Sequence, residues 1–126
     1  MNEKVYLSIG SNLGDKESNI ASSIAMLGSH VENKNIRTSS FYTSDPLYNK
    51  DQPIFINIVV ELDTTFSPFQ FLDKIHDIEK MLGRTLPRKK NQPRTIDIDI
   101  VLFGDSFIET EELTIPIRMH YYVNLS

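Results

Sequence analysis

An isoleucine–aspartate alternation constrains the fold of this chain more than any other feature. The segment 96–100 reads Ile-Asp-Ile-Asp-Ile. Because successive side chains of a β-strand point to opposite faces, this order predicts a strand with one apolar and one acidic face. Asp97 and Asp99 then project together, about 7 Å apart along the strand. They can hold one or two hard cations such as Mg²⁺ together with substrate phosphates, or they can form the solvated face of a half-buried strand.

The periodicity of the remaining chain places this strand last in a β-α-β-β-α-β order. Strands are predicted over residues 5–9, 36–43, 54–62 and 95–103. Helices are predicted after the N-cap candidates Asp15 and Ser67, and they end at Gly28 and Gly83. The order is the split β-α-β pattern, which predicts an α/β (α+β) sandwich of the ferredoxin-like class with an antiparallel sheet.

The second predicted helix carries an apolar stripe and a polar pair. The stripe consists of Phe69, Leu72, Ile75, Ile78 and Leu82. His76 and Glu79 are three residues apart, so they share a helix face, and they lie off the stripe. They can reach a ligand at the sheet edge, and a plain surface pair is an equally good interpretation of these two residues alone.

Composition indicates one globular domain spanning residues 1–126, with 40% hydrophobic and 24% charged residues. There is no cysteine, which excludes disulfides and zinc–thiolate sites and agrees with a cytoplasmic location. The longest apolar runs are far shorter than the ~20 residues of a membrane span, and the first residues do not resemble a signal peptide. We therefore expect no membrane partner.

The charge is distributed unevenly along the chain. A net charge of −4 argues against nonspecific binding of nucleic acid. Basic residues nevertheless concentrate just before the acidic strand, at Arg84, Arg88, Lys89, Lys90 and Arg94. Cations beside paired carboxylates suit a metal-bound polyphosphate, although a solvated loop or a contact with an acidic partner is the alternative for the basic run alone. No P-loop is present, so side chains and metal would have to hold a nucleotide.

Asn57 is a single amide in the otherwise apolar strand predicted over residues 54–62. Phe55 and Asn57 share one face of that strand. A buried amide without a partner costs about 1–3 kcal/mol, so Asn57 needs one. The partner could be backbone, or a flat heterocycle that the amide reads and an aromatic ring stacks on.

Several segments together resemble the 6-hydroxymethyl-7,8-dihydropterin pyrophosphokinase family of folate synthesis. The most specific is residues 93–104, Pro-Arg-Thr-Ile-Asp-Ile-Asp-Ile-Val-Leu-Phe-Gly; the others are residues 9–15, 39–47, 51–57 and 83–84, in the family's order. The resemblance implies a ferredoxin-like sandwich. It also implies an ATP-dependent enzyme that transfers the terminal pyrophosphate of ATP to the pterin hydroxymethyl group and releases AMP.

The resemblance also implies roles for individual residues. Asp97 and Asp99 would hold two Mg²⁺ ions. The other catalytic residues would contact the phosphates; they are Arg84, Lys90 and Arg94. The remaining ATP-binding residues would be His76, Glu79, Ile100 and Thr114. The pterin would be bound by Ser44, Asp45, Pro46, Leu47, Phe55 and Asn57. Loops at 44–53 and 84–93 would close over both substrates.

The chain departs from the family pattern at several places. Lys90 and Leu86 stand where arginines are frequent, and His76 where a glutamine is frequent. After Pro116 the family's histidine is missing, as are a later arginine and a pterin-stacking phenylalanine. The chain stops at Ser126, short of the family's last helix and strand. We predict a monomeric pyrophosphokinase, with a non-catalytic nucleotide- or pterin-binding relative as the alternative; an RNA-binding module fits poorly.

Overall fold

The two helices and the strands of the main sheet occur in the predicted order, except that the second predicted strand is divided in two. The computed structural model describes residues 2–45, 53–83 and 95–117. Its elements are β1 (Glu3–Ser11), α1 (Lys16–Gly28), β2 (Asn33–Thr38), β3 (Tyr42–Ser44), β4 (Phe55–Thr64), α2 (Pro68–Met81), β5 (Asp97–Phe103), β6 (Ile108–Glu109) and β7 (Thr114–Ile115). In the described parts, no helix is long and apolar enough to cross a membrane.

The main sheet has the strand order β2-β4-β1-β5, and β3 also pairs with β4. Every pairing in it is antiparallel. If β2 and β3 are counted as one interrupted strand, this is the topology of a ferredoxin-like α+β fold, as predicted. The short strands β6 and β7 form a separate two-stranded sheet.

One face of the main sheet packs against the helices and forms the core. Ile96, Ile98 and Ile100 belong to that core together with residues of β1, β4, α1 and α2. Asp97 and Asp99 therefore lie on the opposite face, as the alternation predicts. A bulge shifts the β1–β5 register between Tyr6 and Leu7 and limits this alternation to the first part of β5.

Both predicted N-caps are present. The Asp15 side chain accepts a hydrogen bond from the Ser18 N–H at the start of α1. Ser67 and Gln70 form a reciprocal capping box at the start of α2, and Pro68 takes the first helical position. These local hydrogen bonds fix where each helix begins.

The predicted apolar stripe of α2 is wrong at one residue. The Phe69 side chain is 43% exposed, whereas Phe71, which was not assigned to the stripe, is fully buried. The two positions are about 200° apart around a helix of 3.6 residues per turn, so they cannot both face the core. The Phe71 ring packs edge-to-face on Phe103 of β5, with 5.9 Å between ring centroids.

The strand predicted over residues 36–43 is two strands, β2 and β3. Ser39 lies at the break and makes two hydrogen bonds to Val59 of β4. Its N–H donates to the Val59 carbonyl, but its side-chain Oγ, instead of its backbone carbonyl, accepts from the Val59 N–H. A side chain thus replaces one backbone group of the ladder, which interrupts the regular pairing. Ser44, predicted to begin a loop, is the last residue of β3.

Candidate active site

Asp97 and Asp99 lie on the sheet face that is turned away from the helices, and both are half-buried. Their cross-strand neighbours on β1 are Gly10 and Ser8, respectively. These neighbours are small, so β1 presents little side-chain bulk next to the two carboxylates. The strand thus offers a pair of oxygen-bearing groups on a rigid element, beside a stretch of β1 whose side chains are small.

The register places Asn57 in the same row as Asp97. Gly10 pairs with Asp97 on one side and with Asn57 on the other, and Tyr42 pairs with Asn57 in turn. Because neighbouring strands are about 4.8 Å apart, the backbones of Asp97 and Asn57 are separated by roughly 10 Å. The intervening residue, Gly10, has no side chain, so no β1 side chain stands between the carboxylate and the amide in this row. We call the strip of sheet from Asp97 over Gly10 to Asn57 the lane.

The Asn57 and Phe55 side chains border this lane directly. A Cβ atom placed on Gly10 would lie 2.6 Å from Oδ1 of Asn57 and 3.4 Å from Cδ1 of Phe55. The structure thus confirms that these two side chains share a face. Sequence reasoning did not assign a role to Gly10, although a glycine inside a strand commonly marks close approach by another group.

The Asn57 amide is held by β3. Its side chain is only 9% exposed, and its Nδ2 donates to Oγ of Ser44 at 2.8 Å. A longer contact of 3.5 Å joins Nδ2 to the Tyr42 carbonyl. The predicted need for a partner is met by a hydroxyl from the neighbouring strand, which fixes the amide so that its Oδ1 faces Gly10.

Tyr42 and Ser8 form a second polar contact on this face. Burial raises the pKa of the Tyr42 phenol, and a hydrogen bond with the Ser8 side chain partly opposes that rise. The phenol is therefore neutral at physiological pH and acts as a hydrogen-bonding group rather than as a charge. Sequence reasoning missed this pair, because Tyr42 is indistinguishable there from an ordinary β-favouring residue.

Glu79 lies at the outer edge of β5, on the side away from β1. It is fully buried, and its Oε2 accepts a hydrogen bond from the Ile98 N–H at 3.0 Å. The interpretation of His76 and Glu79 as a surface pair is therefore wrong for Glu79, whereas His76 is half-buried. Further along β5, the Ile117 N–H donates to the Val101 carbonyl at 3.0 Å.

The donor set at Asp97 and Asp99 suits a hard cation that brings further ligands with it. Across residues 2–45, 53–83 and 95–117 there is no group of three or more His, Cys, Asp or Glu residues that could hold a metal. Mg²⁺ fits, because it typically binds one or two carboxylates and completes its shell with water and substrate phosphates.

Comparison with known proteins identifies the family of this chain. The model of the 7,8-dihydro-6-hydroxymethylpterin-pyrophosphokinase family matches residues 6–123. The chain belongs to this family. It is 40% identical over 116 residues to the 2-amino-4-hydroxy-6-hydroxymethyldihydropteridine pyrophosphokinase of Bacillus subtilis, covering 92% of this chain and 69% of the relative. The Pseudomonas aeruginosa protein of the same name is 36% identical over 123 residues, with 98% and 74% covered.

The pyrophosphokinase match extends to longer proteins. The folic acid synthesis protein fol1 of Schizosaccharomyces pombe is 42% identical over 115 residues, which cover 91% of this chain and 16% of that relative. The recognition made from residues 93–104 and the other segments is thereby confirmed at the level of the family.

The structure brings part of the predicted pyrophosphokinase site together. Phe55 and Asn57 lie beside Gly10, and Ser44 is hydrogen-bonded to Asn57. Asp97 is paired with the other side of Gly10, and Asp99 with Ser8 on the same face. Asp45 follows Ser44 and is exposed. The predicted pterin residues Pro46 and Leu47 and the predicted phosphate contacts Arg84, Lys90 and Arg94 lie outside the described residues.

Two predicted adenosine contacts lie elsewhere. Ile100 is 4% exposed and points into the core, on the face opposite Asp97 and Asp99. Thr114 is half-buried in β7, which packs beside β5. Their contacts with adenosine, like that of His76, stay predictions.

Proposed function

We propose that this chain transfers the terminal pyrophosphate of ATP to 6-hydroxymethyl-7,8-dihydropterin and releases AMP, as a step of folate biosynthesis. Membership of the pyrophosphokinase family carries the reaction class. The structural observation that supports it best is the row Asp97–Gly10–Asn57. It sets the carboxylate that we assign to the metal and the amide that we assign to the pterin on one face of the sheet, with only Gly10 between them.

The pterin would lie at the Asn57 end of the lane. A carboxamide presents a donor and an acceptor side by side, which suits the amide-like edge of a pterin ring. The hydrogen bond from Nδ2 to Ser44 holds the group in place before substrate arrives. Phe55 is adjacent to the same glycine and offers a ring for packing against the flat substrate. Asp45, Pro46 and Leu47 complete the proposed pterin site.

The triphosphate would lie at the Asp97 end. Two Mg²⁺ ions held by Asp97 and Asp99 would supply charge neutralisation for the bridging phosphate oxygens. The chain's own contribution is to hold the two carboxylates on one rigid strand. Arg84, Lys90 and Arg94 would neutralise the remaining phosphate charge. His76 and Thr114 would contact the nucleotide, and Ile100 would support the adenosine.

The reaction then needs positioning more than proton chemistry. The pterin hydroxymethyl oxygen attacks the β-phosphorus, the bond from that phosphorus to the bridging oxygen of the α-phosphate breaks, and AMP leaves with that oxygen. The hydroxyl proton passes to water. Holding both substrates in line along the lane accounts for much of the expected acceleration. A monomeric state and a cytoplasmic location remain predictions.

No observation on the described residues favours the non-catalytic alternative. Asp97, Asp99 and Asn57 are all on the proposed site face, and the Asn57 amide is preorganised. A relative that only binds nucleotide or pterin would show affinity for the substrates without turnover, so the two functions are separated by product analysis.

Phosphorus NMR of a mixture of the protein, Mg-ATP and 6-hydroxymethyl-7,8-dihydropterin tests the proposed function. We expect AMP and a pterin ester with two coupled phosphorus signals. Formation of ADP and a single-phosphate ester would show that the chain transfers one phosphoryl group and not a pyrophosphate. Unchanged substrates would support the binding-only alternative. Asp99→Asn is the matched control for contaminating activity, because it keeps the shape of the side chain and removes its charge.

A further inference from the structure

Glu79 is a buried acidic side chain that points at the backbone of the acidic strand. It lies on α2, is fully buried, and its Oε2 is 3.0 Å from the Ile98 backbone nitrogen. Burial of a polar group such as this carboxyl is unfavourable unless hydrogen bonds compensate. A carboxylate at this position therefore indicates a restraint rather than packing alone.

The bond meets β5 at the residue between the two proposed metal ligands. Ile98 lies between Asp97 and Asp99, and its own side chain is in the core. On one side β5 pairs with β1, whose Ile9 is opposite Ile98. On the other side, where the sheet order ends, Glu79 binds the backbone of β5. The segment that carries both carboxylates is thus held from both edges.

Glu79 is fully buried, so its side chain contacts other protein groups rather than solvent. Asp97 and Asp99 lie on the outer face of the sheet, where a ligand can reach them. Some residues do not touch a metal ion but orient the side chains that bind it. Their mutation typically weakens metal affinity or activity by about 10–100-fold. Glu79 is in the position to act in this way, because it binds the backbone of β5 between the two aspartates rather than the aspartate side chains.

We propose that Glu79 is a positioning residue: by accepting from the Ile98 N–H it fixes the backbone of β5 and so sets the mutual placement of the Asp97 and Asp99 carboxylates for a divalent cation. The proposal rests on the proposed function, since that function assigns the two aspartates to the metal. This role acts through the β5 backbone and is separate from the nucleotide contact that the family resemblance implies for Glu79.

Amide hydrogen exchange tests the hydrogen bond independently of any activity. We expect the Ile98 amide to be protected in the wild-type protein and in Glu79→Gln, whose amide oxygen can still accept, and to exchange much faster in Glu79→Met. Asp73→Asn is the matched control, because Asp73 is an exposed acidic residue of the same helix. Equal protection in Glu79→Met would overturn the proposal.

Manganese binding tests the consequence for the site. Paramagnetic resonance titration of Mn²⁺ in the presence of a non-hydrolysable ATP analogue should show about ten-fold weaker binding in Glu79→Met. Glu79→Gln and Asp73→Asn should stay within about two-fold of wild type. If Glu79→Met does not fold, Glu79→Asp replaces it: the carboxyl group remains, its oxygens are withdrawn by one methylene from the Ile98 N–H, and Mn²⁺ binding should still weaken.

The outcomes separate this proposal from the proposed function. If Asp99→Asn abolishes Mn²⁺ binding and folded Glu79→Met leaves it unchanged, the positioning role is wrong and the metal assignment stands. If Asp99→Asn binds Mn²⁺ like wild type, the metal assignment fails and this proposal fails with it. Metal-free AMP affinity should be the same in Glu79→Met and wild type; a loss equal to the Mn²⁺ effect would mean that Glu79 contacts the nucleotide itself.

Discussion

Gly10 and Asn57 face each other across β1 and β4, and the space above Gly10 is taken by the Asn57 side chain: a Cβ on the glycine would lie 2.6 Å from Oδ1. The amide can therefore approach the backbone of β1 only because that position lacks a side chain. For the same reason no β1 side chain stands between Asn57 and Asp97 in this row of the sheet. Glycine at this position thus serves two parts of the proposed site at once.

Gly10→Ala should impair pterin binding. The added methyl would displace the Asn57 amide, and overpacking of this kind costs about 1–3 kcal/mol of stability. We expect at least ten-fold weaker pterin binding by isothermal titration in the presence of an ATP analogue. Gly28→Ala is the control, since a Cβ there would make an ordinary 3.4 Å contact with Ile36 far from the site. Undiminished pterin affinity in Gly10→Ala would show that the pterin does not bind beside Gly10.

Ser44→Ala tests the preorganisation of the amide. The substitution removes the acceptor 2.8 Å from Asn57 Nδ2 and leaves a buried donor in need of water or substrate. An unsatisfied buried donor costs about 1–3 kcal/mol. We expect a raised KM for the pterin with little change in the KM for ATP, measured by steady-state AMP formation. Thr43→Ala, at the exposed neighbouring position, should change neither value. A selective rise in the ATP KM would contradict the assignment.

Asp97→Asn and Asp99→Asn test the metal assignment. Each variant keeps the side-chain shape and removes one negative charge, so Mg²⁺-dependent turnover should fall by at least 10²-fold while the circular dichroism spectrum and the melting temperature stay near those of wild type. Asp105→Asn is a suitable control because Asp105 is an exposed turn residue beyond β5. Full activity in both site variants would show that the carboxylates do not carry the metal.

The acid stability of the fold should depend on Asp63. The Asn35 amide donates to Asp63 Oδ2 at 2.9 Å and the Lys4 ammonium lies 3.4 Å from Oδ1, which together hold the pKa of this carboxyl below its ordinary value. A carboxyl whose pKa is lowered on folding stabilises the native state above its unfolded pKa of about 3.9. That contribution is lost as the pH falls through the lower folded value.

Asp63→Asn removes this pH dependence. Urea unfolding midpoints of wild type and variant should differ modestly above about pH 5 and converge toward pH 3, because exposed charge pairs contribute little. Addition of 1 M salt should narrow the difference at neutral pH. If the difference between the two urea midpoints grows as the pH falls, the pKa of Asp63 is not lowered in the native state.

Local chemistry made much of this fold predictable. The N-cap residues Asp15 and Ser67 mark the helix starts because their hydrogen bonds are formed within a few residues of the chain. The alternation around Asp97 identified both faces of β5 because strand periodicity is fixed by backbone geometry. These features need no knowledge of distant contacts.

Features that depend on distant contacts were not predictable. The break between β2 and β3 comes from the two bonds that join Ser39 to Val59, which is twenty residues away. The burial of Glu79 depends on its meeting the Ile98 N–H, and the importance of Gly10 depends on the strand register. Each of these is a tertiary contact that no local pattern encodes, and each bears on the proposed site.

The most direct measurement of the central claim is AMP release from Mg-ATP by the purified, folded protein, with and without 6-hydroxymethyl-7,8-dihydropterin, and with Asp97→Asn alongside. We predict AMP only when the pterin is present, in step with its consumption, and roughly 10²-fold less or lower in the variant. AMP release that ignores the pterin, or no release by a protein that binds both substrates, would contradict it.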